Sequence, residues 1–331
     1  MSFSVSGTGS AYPALALTND ALSNMIDTSD EWISTRTGIR QRHVLKEESL
    51  ADLAVTAGEQ ALLDAGVEAA ELDLIICSTL RGDFITPSLS CIVEKRLGAC
   101  CPAYDVNAAC SGFIYALDVA DGYFARKKAK KVLVIAAEAM SKLVDWQDRS
   151  TCVLFGDGAG AVVLTEGEDL LSIKLSANGD TDVMAIPNVA GNFPDAAGGA
   201  DPYLTMKGQE VFKFAVSSMC RDIAEVIGEA GLSKDDISYV LPHQANMRII
   251  DAARSRLKIA PERILTNIER FGNTSSASIP LLLDQMNREG RFQKGDILAL
   301  SAFGSGFTTG ACILRWSRGR SFAPRYQMAC D

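Results

Sequence analysis

The chain reads as a layered α/β protein on three observations. Strand-like and helix-like stretches alternate along its length, glycine marks where the first long helical pattern stops, and the second half repeats the plan of the first. SLADLAVTAGEQALLDAG carries apolar residues at Leu53, Ala54, Ala57, Ala61 and Leu62 and stops at Gly66, the pattern of an amphipathic helix with a glycine C-cap. LDLIIC and VLVIAAE read as buried strands on either side of a junction where CPAYDVNAAC gives way to the helically spaced SGFIYALDVADGYF. In the second half, GQEVFKFAVSSMCRDIAEVIGEAG reads as helix and ISYVL as strand. DILALSAF and GACILRW then flank a glycine-rich turn. The halves are expected at 1–168 and 169–331. Residues 187–202, rich in Gly, Pro and Asp, read as an excursion loop.

Composition excludes several classes of function. With 331 residues, 47% hydrophobic and 22% charged, the chain can bury a large core. A net charge of -9 argues against nucleic acid as a general partner. No stretch reaches about eighteen uninterrupted apolar residues and the start lacks a basic-then-apolar plan, so neither a membrane span nor a secretory signal is expected, and the location predicted is the cytoplasm. Nine cysteines without CxxC spacing or Cys/His clusters read as free thiols, with no disulfide framework and no metal site.

Three residues stand at element ends and suit chemistry on a carbonyl. Cys110 falls at the strand-to-helix junction, where unpaired N–H groups and the helix dipole favour thiolate over a thiol that normally titrates at roughly 8.5. The competing reading is a buried core thiol. His243, one of only two histidines, follows ISYVL; Asn273 opens the stretch GNTSSASIPLLL. Singly, they also read as a hydrogen-bonded structural histidine and a turn residue. Together they are the set for nucleophilic catalysis. FGDGAGAVVL is not a dinucleotide fingerprint, because its glycines run into a strand-like segment rather than opening a helix.

AACSGF around Cys110, FGDGAGAVVL at 155–164, PHQANMRII at 242–250, GNTSSASIP at 272–280 and AFGSGFTTG at 302–310 occur in one order, with DEWISTRTGIRQR near the start. In these motifs the chain resembles the β-ketoacyl-acyl carrier protein synthase III family of the thiolase superfamily. The resemblance implies the thiolase fold, two duplicated βαβ-rich halves in five layers (αβαβα). It implies a decarboxylative Claisen condensation of an acyl-CoA with malonyl-acyl carrier protein through an acyl-Cys110 intermediate. His243 and Asn273 would donate to the enolate oxygen, and the amides of Cys110 and Ser305 would form the oxyanion hole. Trp32, Arg36 and Arg149 match positions that hold the CoA nucleotide, and Gly208 and Asn246 match the pantetheine channel. Thr86 and Phe303 fall at acyl-pocket positions. Thr86 is smaller than the aromatic of acetyl-preferring members, which points to longer or branched primers and, because that segment enters the neighbouring subunit, to a homodimer. The basic residues Lys213, Arg248, Arg254, Arg256 and Lys258 would dock the acidic carrier protein, a solvated helix face being the alternative. No cofactor beyond the CoA thioester substrate is implied.

Related chemistries can be weighed on the same residues. Elongating ketosynthases use Cys-His-His, and the spare histidine, His43, lies in the charged RQRHVLKEE and reads as a surface residue. Thiolases need a cysteine in the turn that here reads AFGSGF. A papain-like hydrolase would carry its cysteine in a CGSCW-like context, which is absent, and a scaffold without turnover would not need Cys110. The remaining rival is a priming ketosynthase or acyltransferase of polyketide assembly. Residues 318–331 extend past the family pattern.

Overall fold

A computed structural model describes residues 2–188 and 203–319. The excursion loop therefore lies outside the described residues from 189 to 202, and the C-terminal extension does from 320 onward. The first half begins with β1 (Ser2–Ala11). A hairpin of β2 (Ala16–Thr18) and β3 (Gln41–His43) then encloses α1 (Asn19–Ser23) and α2 (Asp30–Thr37). It continues through α3 (Leu50–Ala65), β4 (Leu74–Ser78), α4 (Leu89–Leu97), β5 (Ala103–Val106), α5 (Gly112–Ala125), β6 (Lys131–Ala139) and β7 (Asp157–Gly167). The second half comprises β8 (Leu170–Ser176), the short pair β9 (Met184–Ala185) and β10 (Thr205–Met206), α6 (Gly208–Glu229), β11 (Tyr239–Pro242), α7 (Met247–Leu257), α8 (Ile268–Phe271), α9 (Ser278–Arg288), β12 (Ile297–Phe303) and β13 (Thr309–Arg315).

Two mixed sheets share one pairing pattern. The first runs β1-β7-β6-β4-β5 and the second β8-β13-β12-β11. In each, an antiparallel strand pair at one edge leads to a further antiparallel partner and then to a parallel one: β1/β7, β7/β6 and β6/β4 are matched by β8/β13, β13/β12 and β12/β11. Even the parallel β4/β5 pair has a remnant, the single parallel bridge between Val240 and Ile264. The repeated plan read from the sequence is thus a repeated topology.

Alternation of side chains along the central strands shows why these strands lack a polar face. Val132, Val134 and Ala136 of β6 join one core while Leu133, Ile135 and Ala137 join another. Likewise Leu298, Leu300 and Ala302 of β12 face inward between the sheets, whereas Ala299 and Phe303 face an outer helix layer. A sheet covered on both faces must be apolar on both. The outer layers are α3 with α4 and α6 with α7, and α5 with α9 fill the middle, so the five-layered αβαβα arrangement of the thiolase fold is present.

Local signals set the helix ends. Ser49 caps α3, with Asp52 returning the bond to the Ser49 amide, and Gly66 closes it in the left-handed region at φ 63°. Within β7, Gly160 is required by contact: a Cβ there would stand 2.5 Å from Leu281 N and 2.7 Å from Pro280 C, at the seam between β7 and α9. His43 corrects the surface assignment. It is buried, its Nδ1 lies 2.7 Å from Pro13 O, and its ring packs between Tyr12 and Phe271, because the β2/β3 hairpin turns this strand inward. Arg318, at the start of the extension, is tied to Asp64 through both the side chain and the backbone carbonyl.

Gly160→Ala should therefore cost about 1–3 kcal/mol by forcing the two halves apart. Gly122→Ala, in α5 with nothing within 4 Å of the added methyl group, should be neutral or stabilise by roughly 0.5–1 kcal/mol. Urea midpoints of the two variants test the contrast.

Candidate active site

Two turns meet at the centre of the molecule, each at the start of a middle-layer helix. One follows β5 and carries Cys110 in a single 3-10 turn, Ala109–Ser111, just before α5. The other follows α8 and runs from Gly272 through the 3-10 turn Ser275–Ala277 into α9. They occupy matching places in the two halves, so the pseudo-symmetry of the fold sets them face to face.

Close backbone approach holds both turns. Asn107 Oδ1 accepts from the Ala109 N–H at 3.2 Å, and Thr308 Oγ1 donates to Ala108 O at 2.8 Å. Ser111 Oγ donates to Thr308 O at 3.1 Å, which couples the nucleophile turn to the glycine-rich turn after β12. A Cβ at Gly304 would stand 2.6 Å from Cys110 N. On the other side, Gly156 N–H donates to Asn273 O at 3.1 Å and Asn273 N–H to Leu154 O at 2.8 Å. FGDGAG therefore brings backbone against the site, and its glycines serve approach rather than phosphate. Three non-glycine residues with positive φ gather here, Ala109 at 48°, Ser275 at 50° and Phe307 at 41°. Strain of this kind persists only where surrounding contacts enforce it.

The three candidate residues converge on one segment. Ser275 Oγ lies 3.4 Å from Cys110 Sγ, within hydrogen-bond reach. Asn273 Oδ1 accepts from Ser275 N–H at 2.9 Å, which orients the amide so that its NH2 end turns away from that loop. His243 Nδ1 lies 2.7 Å from Ser278 Oγ. Gln244 N–H donates to the same oxygen at 3.3 Å, so Ser278 ties the imidazole to the start of α9. Phe303 stacks edge-on against the imidazole at 5.4 Å between ring centroids.

Burial controls the electrostatics. His243 is buried and its pKa is pushed down to about 3, so the ring is neutral. Cys110 departs from the acidic thiol expected at a helix start: burial pushes it up to about 12, Ser275 lowers it and Glu138 raises it. The desolvation cost of a thiolate outweighs what the nearby N–H groups return. Glu138, which the sequence reading passed over, ends the apolar strand VLVIAAE and is buried. Its carboxyl accepts from Ser275, Ser276 and the Leu80 N–H, and burial still raises it to about 7. A charged residue directly after the apolar run 132–137 was the available signal.

A cavity of about 280 Å³ opens beside Cys110, walled by Leu80, Met140, Met184, Ile186 and Leu204, with Ser305 on its rim. Its walls suit an acyl chain. Ser305 Oγ is turned away to donate to Met184 O at 2.5 Å. Thr86 is exposed, beside Phe84 and Ile85 at 61% and 87% exposure, and is not among the residues lining this cavity; neither is Phe303, His243 or Asn273. Cys312, in β13, is buried in the core between the sheets.

The expected nucleotide contacts form a cluster at the surface. The guanidinium of Arg36 lies 4.7 Å from the Trp32 ring centroid and that of Arg149 lies 5.2 Å from it. Met247, at the start of α7, packs beside Gly38 just after this cluster. Asn246 caps α7 by accepting from Arg248 N–H at 2.9 Å, and Gly208 starts α6. Of the basic residues, Lys213, Arg248, Arg256 and Lys258 are exposed, while Arg254 is half-buried and pairs with Asp251 at 3.4 Å.

Comparison with known proteins follows this geometry. Residues 104–179 match the family model described as 3-oxoacyl-[acyl-carrier-protein] synthase III, and residues 227–316 match its C-terminal model. The β-ketoacyl-[acyl-carrier-protein] synthase III of Xanthomonas campestris is 48% identical over 318 residues, covering 94% of this chain and 98% of that one. The protein of the same name from Aquifex aeolicus is 46% identical over 320 residues, covering 96% and 100%. Among solved structures, 3-oxoacyl-(acyl carrier protein) synthase III from Pseudomonas aeruginosa superposes with a TM-score of 0.90 at 38% identity, over 96% of this chain and 99% of that one. The priming β-ketosynthase of the R1128 polyketide pathway gives 0.88 at 34% identity, over 95% and 96%.

Acid sensitivity should report the buried imidazole. Unfolding frees His243 to bind a proton below about 6.5, whereas the folded ring resists protonation to about 3. The stability it contributes is full above pH 6.5 and falls as pH drops through that window. Glu138 acts in the opposite sense between about 7 and 4.5. The difference between wild type and His243→Gln isolates the histidine, and urea titrations should show the variant losing less stability on acidification.

Proposed function

We infer the reaction from a chain that belongs to the 3-oxoacyl-[acyl-carrier-protein] synthase III family. The protein is an acyl-transferring condensing enzyme that initiates fatty acid synthesis. Identity of 46–48% to synthases of this name, against 34% to the polyketide priming enzyme, favours that assignment over the polyketide role.

We propose that Cys110 attacks the thioester carbonyl of an acyl-CoA primer and becomes acylated while CoA leaves with the thiol proton. The amides of Cys110 and Ser305 would hold the tetrahedral oxyanion. Gly304 against the Cys110 amide supports this reading, since it allows the two turns to approach. Malonyl-acyl carrier protein then loses carbon dioxide; the electron pair of the broken C–C bond becomes an enolate, whose oxygen receives hydrogen bonds from His243 Nε2–H and the Asn273 NH2. The enolate carbon attacks the acyl-Cys110 carbonyl, the sulfur departs, and a β-ketoacyl-acyl carrier protein is released. The neutral imidazole supports a donor role, because a ring that resists protonation does not serve as a stored acid. No cofactor enters this scheme.

The nucleotide of CoA is assigned to Trp32, Arg36 and Arg149, whose cation-π stack offers a flat surface and positive charge for adenine and phosphate. Gly208 and Asn246 are assigned to the pantetheine arm. Lys213, Arg248, Arg256 and Lys258 are assigned to the carrier protein, with Arg254 partly offset by Asp251. The exposed Phe84-Ile85-Thr86 tip supports a homodimer in which a second copy covers it. A cytoplasmic location is part of the same proposal; among the described residues no helix is long and apolar enough to cross a membrane.

The observation that carries the reading is the meeting of Cys110, Asn273 and His243 around residues 273–278. Carbon dioxide release from malonyl-acyl carrier protein in the presence of acyl-CoA should fall about 10²–10³-fold in Asn273→Ala, and β-ketoacyl product should be lost in Cys110→Ser. Turnover by Cys110→Ser at the wild-type rate would refute the assignment. Trp32→Ala should raise KM for acyl-CoA about tenfold with little change in kcat. Competition among acetyl-, isobutyryl- and octanoyl-CoA should favour the longer or branched primers, and a wide acetyl preference would overturn the role given to Thr86.

A further inference from the structure

We propose that Glu138 is a positioning residue for the nucleophile: through the single hydrogen of Ser275 it sets whether Cys110 meets a hydrogen-bond donor or an acceptor. The inference rests on the reading of Cys110 as the nucleophile.

Ser275 Oγ stands 3.2 Å from Glu138 Oε1 and 3.4 Å from Cys110 Sγ. A hydroxyl has one hydrogen, so it can serve only one of these acceptors fully. The positive φ of Ser275 holds the side chain between them. Around the carboxyl lie Ser275 and Ser276 from the turn before α9, the Leu80 amide after β4, Gly158 across the sheet and Cys110 from the nucleophile turn. Of these only Cys110 titrates. Ser276 Oγ donates to Oε1 at 2.6 Å, and the Leu80 N–H donates to Oε2 at 3.0 Å.

With Glu138 ionised, the charged acceptor draws the Ser275 hydrogen. A lone pair of Ser275 then faces sulfur and favours S–H. With Glu138 protonated, Oε2 remains the acceptor for Leu80, so the acid hydrogen lies on Oε1 and donates into the serine pair. The Ser275 hydrogen, displaced from the carboxyl, turns to sulfur and supports a thiolate. Carboxylate and thiolate thus exclude one another, consistent with the raised positions of both groups.

Glu138→Gln fixes the second arrangement. The Leu80 N–H requires the amide oxygen, which leaves the amide NH2 to donate to the serines and releases the Ser275 hydrogen to sulfur. Iodoacetamide alkylation of Cys110 in the full chain, resolved by peptide mass from the exposed Cys91 and Cys100, should be followed from about pH 6 to 10. In Glu138→Gln the rate should rise about twofold at pH 7, where half of Glu138 already holds its proton, and about tenfold by pH 9, where the wild-type carboxylate would otherwise oppose the thiolate. An unchanged profile in a variant that melts at the wild-type temperature would overturn the proposal, as would slowed alkylation. Ser275→Ala provides a second arm: at pH 6, where Glu138 is protonated and the Ser275 hydrogen serves sulfur, alkylation should slow, and in the Ser275→Ala background Glu138→Gln should give less than half of its acceleration at pH 9. An unchanged profile in Ser275→Ala would also overturn it. Alkylation needs neither CoA nor carrier protein, so a shifted profile without carbon dioxide release would separate failure of the condensation reading from failure of this one.

Discussion

Packing α5 and α9 side by side between two sheets is the constraint on which the site depends. The turn that opens α5 follows the parallel edge strand β5 and the turn that opens α9 follows α8, and the shared pairing pattern of the sheets puts the two turns opposite one another. Cys110 comes from one turn and Asn273, Ser275 and Ser278 from the other. The glycines at 156, 272 and 304 allow the backbones to approach closely enough for this, since a Cβ at any of them would meet a backbone atom at 2.3–2.8 Å. Duplication of one unit therefore yields a site that neither unit holds alone.

The same burial that makes the middle layer stable governs the resting chemistry. A neutral imidazole, a protonated thiol and a carboxyl raised toward neutrality share a region with few charges, because each charged form would have to give up water without an opposite charge in contact. Such a site suits the proposed reaction, in which an oxyanion at the thioester and then an enolate after decarboxylation would form within it. In that scheme His243, tied to Ser278, and Asn273, tied to Ser275, would donate with little reorganisation when the charge appears.

Away from this buried centre, the charged groups of the proposed substrate path lie at the surface. Arg36 and Arg149 flank Trp32 on the hairpin side, and the start of α7 packs close by at Met247. In the proposed function a nucleotide held there and a carrier protein on the basic residues of α7 would approach from one side, while the apolar cavity beside Cys110 would take the acyl chain. Polar recognition at the rim and an apolar chamber at the nucleophile divide the substrate by its own chemistry.

Much of this was legible beforehand for definable reasons. Helical spacing with a glycine stop marked α3, unbroken apolar runs marked strands covered on both faces, and five short motifs carried Cys110, His243 and Asn273. Proton affinity was not legible, because a helix start suggests an acidic thiol and only the depth of burial reverses the sign. His43 looked exposed from its charged neighbours, yet a three-residue strand turns it into an aromatic contact. Glu138 was hidden for the same reason: its partners are 137 and 138 residues away along the chain. The sequence by itself determined which residues form helix and strand and which are candidates to react, since those properties reside in local spacing and side-chain chemistry. Tertiary structure alone decided which of them touch and what burial does to their charges, since contact and dielectric depend on segments far apart in the chain.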